Sequence, residues 1–194
     1  MLNTIVLTVI TYLCGSLMFS YWLGKFVRRD IRDYGDKNPG AINAFKAGGW
    51  KIGVPAMLLD FLKAFVPIFV IYRYLGIKDM RIVPIAIAPV LGHAFSPFLK
   101  FKGGKAIAVS FGVWSGLTLW QAPTVFGLSN CIWKYIFRIK NDAWITILGM
   151  FAILVYLLIF NRTLPLFIIL IINLLIIVIK HGKSFRQSAT SIKG

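Results

Sequence analysis

Ala143 to Phe160 read AWITILGMFAILVYLLIF, and after Asn161, Arg162 and Thr163 the chain resumes with LPLFIILIINLLIIVI from Leu164 to Ile179. Neither run holds a charged side chain. A helix advances about 1.5 Å per residue, so about 20 mostly apolar residues cross a hydrocarbon core about 30 Å thick. The two runs therefore predict two membrane-crossing helices joined by a short polar turn.

Working outward, the same kind of stretch recurs at Thr4 to Leu23, Gly53 to Leu75, Ile82 to Phe98 and Ala106 to Phe137. The last is 32 residues, too long for one crossing. It contains Gln121, Ala122 and Pro123, and a helix tends to end before proline, so we divide it there. The expectation is an all-α, polytopic integral membrane protein with about seven transmembrane helices, and one domain over residues 1–194. Composition agrees. Hydrophobic residues make up 58% of 194 positions and charged residues 14%, against about 45–50% and about 25% in a soluble domain. Mean hydropathy is +0.78. The first stretch lacks a basic leader and a small-residue cleavage site, so we read it as a span, not a cleaved signal.

Lysine and arginine gather in cytoplasmic loops. With seven spans and an outside N-terminus, the inside segments are 25–52, 99–105, 134–142 and 180–194, and they hold 17 of the 22 basic residues. The outside loops hold four: Arg73, Lys78, Arg81 and Arg162. This bias predicts a bacterial cytoplasmic membrane protein with its N-terminus outside and its C-terminus in the cytoplasm. The net charge of +16 would suggest nucleic acid in a soluble protein. Gathered on one membrane face, it points instead to membrane lipids and phosphorylated substrates, with no nucleic acid partner. Cys14 and Cys131 both fall in apolar spans and read as buried free thiols. No metal-ligand pattern is present, and neither a metal nor a cofactor is expected. The oligomeric state is not encoded in any pattern we find.

The loops carry the chemistry. The first reads Arg28-Arg29-Asp30-Ile31-Arg32-Asp33-Tyr34-Gly35-Asp36-Lys37-Asn38-Pro39-Gly40-Ala41-Ile42-Asn43-Ala44-Phe45-Lys46. Glycine and asparagine between cations can turn several N–H groups on one anion; an ordinary turn with cytoplasmic charges is the plainer alternative. In Phe101-Lys102-Gly103-Gly104-Lys105, two glycines and a lysine meet a helix start, whose unpaired N–H groups favour anions. Asp60 and Lys63 lie inside a span, on one helical face at i,i+3. Charges there are costly unless paired, so they read as a pin between helices. His181 stands at the end of the last span and titrates near neutrality, which suits a base or a phosphate partner.

Gly35-x-x-Asn38-Pro39-Gly40-Ala41-x-Asn43-x-x-Lys46, Asp60-x-x-Lys63, Gly92-His93 and Phe101-Lys102-Gly103-Gly104-Lys105 resemble the membrane-embedded bacterial glycerol-3-phosphate acyltransferases of the PlsY family, as do Gly15-Ser16, Gly24-Lys25 and the basic ending around His181. The resemblance runs the length of the chain. It implies seven spans and transfer of a fatty acyl group from acyl phosphate to the 1-hydroxyl of glycerol 3-phosphate, giving lysophosphatidic acid for phospholipid synthesis. By the same resemblance Lys105, His181, Asn38 and Lys46 would be catalytic, and Gly35, Gly40, Asn43, His93, Gly103, Gly104 and Ser184 would bind substrate. Such chemistry needs no covalent nucleophile, because acyl phosphate carries a good leaving group; the protein must position two anions and stabilise charge.

Several positions depart from the family pattern. Gly35-Asp36-Lys37-Asn38 stands where the family has Gly-Ser-Gly-Asn, Ile42 replaces a threonine, and Lys46 an arginine able to bind phosphate bidentately. Ala106 and Val109 replace a glycine and a threonine, and Ala143-Trp144-Ile145-Thr146 aligns with a Ser-x-x-Ser element. Ser184 replaces an asparagine, and the acidic tail residue is missing. Charged anchors persist while hydroxyls and glycines are lost. The expectation is therefore a divergent member with an altered donor or acceptor, or weak turnover on glycerol 3-phosphate. The alternative is a weakened paralogue that binds lipid or phosphate or acts as a regulatory membrane protein.

Overall fold

The computed structural model describes residues 2–190, with the side chains of residues 2, 183 and 186–190 outside the description. Lys183, Arg186 and Lys193, counted above among the inside charges, fall in that undescribed part, as does the tail beyond residue 190. Among the described residues the chain is helical: α1 (Leu2–Ser16), α2 (Phe19–Phe26), α3 (Ala41–Gly48), α4 (Trp50–Phe69), α5 (Ile82–Ala94), α6 (Ile107–Thr118), α7 (Gln121–Cys131), α8 (Asp142–Phe160) and α9 (Leu164–Thr190). Five stretches are long and apolar enough to cross a membrane: Asn3–Phe26, Trp50–Tyr74, Ile82–Leu99, Asp142–Phe160 and Leu164–Gly182. α6 is apolar but only 12 residues long, and α7 runs on through a π turn to Ile136.

The long stretch divides two residues earlier than its proline suggested. α6 ends at Thr118, Leu119 turns with φ 58°, and Pro123 sits in the first turn of α7. Proline is tolerated there because first-turn N–H groups have no intrahelical partner to lose. Thr118 Oγ1 accepts from the Ala122 N–H at 3.2 Å and so covers one of those orphans.

Small residues set the helix crossings. A side chain on Gly112 would meet the Phe61 carbonyl at 2.3 Å, and one on Gly116 would meet Ile68 at 2.8 Å, so α6 lies directly against α4. Gly15 and Gly92 do the same for α1 and α5. Without water to exclude, membrane helices associate by such close packing. Pro89 cannot donate to the Ile85 carbonyl; Thr11 Oγ1 donates to that oxygen instead, at 3.0 Å. Trp114, Phe126, Ile153, Leu157 and Ile169 fill the interior, while Ile5, Leu58, Phe151, Leu158 and Ile171 face outward. An exterior this apolar is matched by lipid. The cysteines depart from expectation: Cys14 is half-buried and Cys131 exposed, because both lie on outward faces of their helices.

The buried Asp60–Lys63 pair pins elements as expected. Lys63 Nζ lies 2.7 Å from Asp60 Oδ1 and also donates to the Leu17 carbonyl, which the break between α1 and α2 leaves without a helical partner. Ser20 Oγ donates to Asp60 Oδ2. Two charges inside a bundle persist only when paired and fully hydrogen-bonded.

Candidate functional site

A cavity of about 910 Å³ opens where the first loop, the start of α6, the α8 entry and the end of α9 converge. All four segments predicted to share one face, 25–52, 99–105, 134–142 and 180–194, thus contribute residues to one site. Asn38, Gly40, Asn43, Lys46, His93, Lys105, His181 and Ser184 all line it, together with Asp36, Asn141 and Asp142.

Lys105 is the hub. Its Nζ lies 2.7 Å from Asp36 Oδ2 and donates to Ser184 Oγ at 3.2 Å, tying the first loop to α9. It is placed by its neighbours. The Gly104 N–H donates to the His93 carbonyl at 3.0 Å, and side chains on Gly103 or Gly104 would collide with His93 at 1.9 and 2.2 Å. The two glycines therefore let the strap lie flat on the end of α5. They are not among the residues that line the cavity, whereas His93, Lys105 and Ala106 beside them are. Ala106 follows with φ 60° before α6 begins.

Asp36 organises the first loop. Its Oδ1 accepts from Asn43 Nδ2 at 2.9 Å and from the Asn38 N–H at 3.2 Å. Asn43 Nδ2 also donates to the Asn38 carbonyl at 2.8 Å, which leaves Asn43 Oδ1 buried with no partner among the described residues. Partial burial pushes the Asp36 carboxyl up, but Lys105, the Asn38 N–H and Asn43 hold it below the usual carboxylate range. Gly35, with φ 55°, packs on the Asn43 and Lys46 side chains and does not line the cavity. Lys46, on α3, has an exposed ammonium that faces the cavity without an ion pair among the described residues.

His181 is buried on α9, and its Nδ1 donates to the Ile177 carbonyl at 2.8 Å. A neutral imidazole that donates from Nδ1 leaves Nε2 as an acceptor. Nε2 has no partner among the described residues. It is a buried nitrogen on a residue that lines the cavity with Lys105.

Sequence reasoning passed over two contributors. Asp36 read as a lost hydroxyl, but it is the anion on Lys105. Asn141 caps α8, its Oδ1 accepting from the Ala143 N–H at 2.8 Å, and its Nδ2 reaches the Ser184 carbonyl at 3.2 Å. An asparagine just before an apolar run is a helix-start signal that marks this position. Thr146 is buried and donates back to the Asp142 carbonyl at 2.7 Å, so its hydroxyl serves α8 and not the cavity.

Beyond the polar floor the cavity wall turns apolar, with Val54, Met57, Leu58 and Phe61 on α4 facing Ile107, Ala108 and Phe111 on α6. Val54, Met57 and Leu58 remain about half exposed on the outward face. This fold and site define an integral membrane protein with a polar, lysine-bearing cavity that continues into an apolar groove between two helices. Residues 5–190 match the family described as glycerol-3-phosphate acyltransferase, and the chain belongs to that family, the PlsY family. It is 40% identical over 199 residues to glycerol-3-phosphate acyltransferase 1 of Thermotoga maritima, covering 96% of this chain and 98% of the relative. It is 35% identical to glycerol-3-phosphate acyltransferase 2 of the same organism, covering 92% and 89%. Two crystal structures of the integral membrane glycerol 3-phosphate acyltransferase PlsY superpose on it. The glycerol 3-phosphate form gives a TM-score of 0.85 at 29% identity, over 97% of this chain and 93% of that one. The lysophosphatidic acid form gives 0.84 at 27% identity with the same coverage.

Proposed function

We propose that this protein transfers a fatty acyl group from acyl phosphate to the 1-hydroxyl of glycerol 3-phosphate at the cytoplasmic face of a bacterial membrane, releasing lysophosphatidic acid and inorganic phosphate. The observation that carries this reading is one cavity lined by three lysines (Lys46, Lys105 and Lys140), an unpartnered imidazole nitrogen and an apolar groove. The groove between α4 and α6 suits the alkyl chain, since burying each methylene gains about 0.8 kcal/mol. Lys105 and Lys46 neutralise the phosphates of donor and acceptor. The acceptor's 1-oxygen attacks the acyl carbonyl carbon, the bond from that carbon to the phosphate oxygen breaks, and His181 Nε2 takes the hydroxyl proton. The departing phosphate oxygen takes that proton back from the His181 imidazolium, so phosphate leaves as the hydrogenphosphate dianion beside Lys105 and His181 is neutral again. Seven crossings, with the N-terminus outside, put the cavity and 17 basic residues on one side.

Purified protein given palmitoyl phosphate and glycerol 3-phosphate should form lysophosphatidic acid, slowly, because Asp36 occupies Lys105. Lys105→Ala should lower turnover by about 100- to 1,000-fold, the effect of removing one group aimed at developing charge. Lys100→Ala, outside the cavity, should change it little. No product from the wild type, together with binding of an acylated or phosphorylated lipid, would replace this reading with a binding role.

A further inference from the structure

Lys63 offers three N–H donors and no acceptor, and all three are committed. One goes to the Leu17 carbonyl, one to Asp60 Oδ1 at 2.7 Å, and one to His93 Nδ1 at 2.9 Å. An ammonium cannot accept, so His93 Nδ1 must be the unprotonated nitrogen, and the proton of the neutral ring sits on Nε2. That nitrogen lies against Gly104, on the strap that carries Lys105, since a side chain on Gly104 would come within 2.2 Å of it. His93 lines the cavity, and its Nε2 has no hydrogen-bond partner among the described residues. His181 is the reverse case: its Nδ1 is spent on Ile177, and its buried Nε2 has no partner among the described residues.

We propose that Asp60 and Lys63 act as positioning residues that lock His93 as a neutral imidazole with its Nε2–H turned into the cavity, where it donates to an anionic oxygen of the bound substrates, while His181 presents an acceptor to the same space. The pair pins three elements and also sets a tautomer. The chain holds two histidines in opposite states, one donor and one base. A neutral donor at this place stabilises developing charge without adding a second cation beside Lys105, and the burial of His93 at 3% exposure keeps that donor out of bulk water. The assignment of substrate oxygens rests on the acyl-transfer reading; the tautomer does not.

The test is nitrogen-15 NMR of the imidazoles in the full chain in lipid nanodiscs near pH 7, with His93→Gln used to assign the two rings. We expect Nε2–H for His93 and Nδ1–H for His181. A His93 ring protonated at Nδ1, or charged, would overturn the proposal whatever the enzyme turns over. Adding glycerol 3-phosphate, acetyl phosphate or inorganic phosphate should then shift the His93 Nε2–H signal, and the compound that shifts it identifies whose oxygen is bound. No shift with any of them removes the donor role. In the acyltransfer assay His93→Leu should lower kcat by about 100-fold or more, with partial recovery in His93→Gln, whose amide can donate. Wild-type kcat in a folded His93→Leu protein would also overturn it. If that variant fails to fold, the spectrum of the wild type and the kcat of His93→Gln still decide.

Discussion

Asp36 is the side chain that most separates this site from its family pattern. A carboxylate holds Lys105, the Asn38 N–H and Asn43 Nδ2, all of them groups that an incoming phosphate would use in the reaction proposed above. Its carboxyl is held below the usual range, so the contact is complete above the unfolded value of about 3.9 and is lost only as pH falls through the lower folded value. Titration between pH 6 and 8 will not release Lys105; substitution will. The pair is partly solvated, and such pairs are worth about 0.2–1 kcal/mol, so Asp36→Asn should lower KM for glycerol 3-phosphate by up to about fivefold, read from initial rates. An unchanged or raised KM would mean the carboxylate helps to build the site. Ala106 stands where the family carries glycine, and it has φ 60°. A left-handed alanine costs roughly 1–2 kcal/mol, but glycine there loses a buried methyl worth about 0.8 kcal/mol and gains about 0.4–1 kcal/mol of unfolded-state freedom. These terms nearly cancel. Ala106→Gly should therefore move Tm little, whereas Ala64→Gly, buried within α4, loses about 2 kcal/mol with nothing to offset it and should melt about 4–8 °C lower. Thermal scans of both in one detergent decide.

Helix pairs here meet through backbone, and that makes the crossings sensitive to single methyl groups. Gly112 faces the Phe61 carbonyl at a distance no β-carbon can occupy. Gly112→Ala should force α6 off α4 and cost about 1–3 kcal/mol, the usual effect of overpacking. Because α4 and α6 are also the walls of the apolar groove, activity on long-chain donors should fall more than on short ones. Gly127→Ala is the control: the nearest atom to its new carbon is 3.7 Å away, and alanine favours α7 by about 1 kcal/mol. Equal loss in both variants would show that helix packing, not the groove, is being measured.

Across the membrane, the charge bias makes a directional claim. With Cys14 and Cys131 replaced, cysteines at Asn3 and at Ser191, the latter outside the described residues, should react differently with an impermeant thiol reagent in intact cells. Asn3→Cys should label and Ser191→Cys should not. Labelling of both, or of Ser191→Cys alone, would reverse or break the seven-span arrangement. The cavity gathers segments separated by up to 148 positions, from Asp36 to Ser184, so any arrangement that puts the first loop and the last helix end on opposite faces is incompatible with it.

Much of this protein is legible without coordinates, because a bilayer imposes a one-dimensional rule: apolar runs of a certain length become spans, and basic loops stay on one side. The runs at 143–160 and 164–179 and the pairing of Asp60 with Lys63 follow from order and spacing, and the family resemblance points to Asn38, Asn43, Lys105 and His181, which all line the cavity. What the linear pattern does not hold is which polar atom meets which. Asp36 on Lys105, Asn141 on Ser184 and Lys63 on His93 join residues 30 to 69 positions apart. Hydrogen-bond partners are chosen by packing geometry, and geometry of that kind exists only once the helices have closed. The same holds for Gly103 and Gly104, whose close approach to the end of α5 no linear pattern shows. A glycine looks the same in sequence whether its missing side chain makes room for a ligand or for the protein's own backbone.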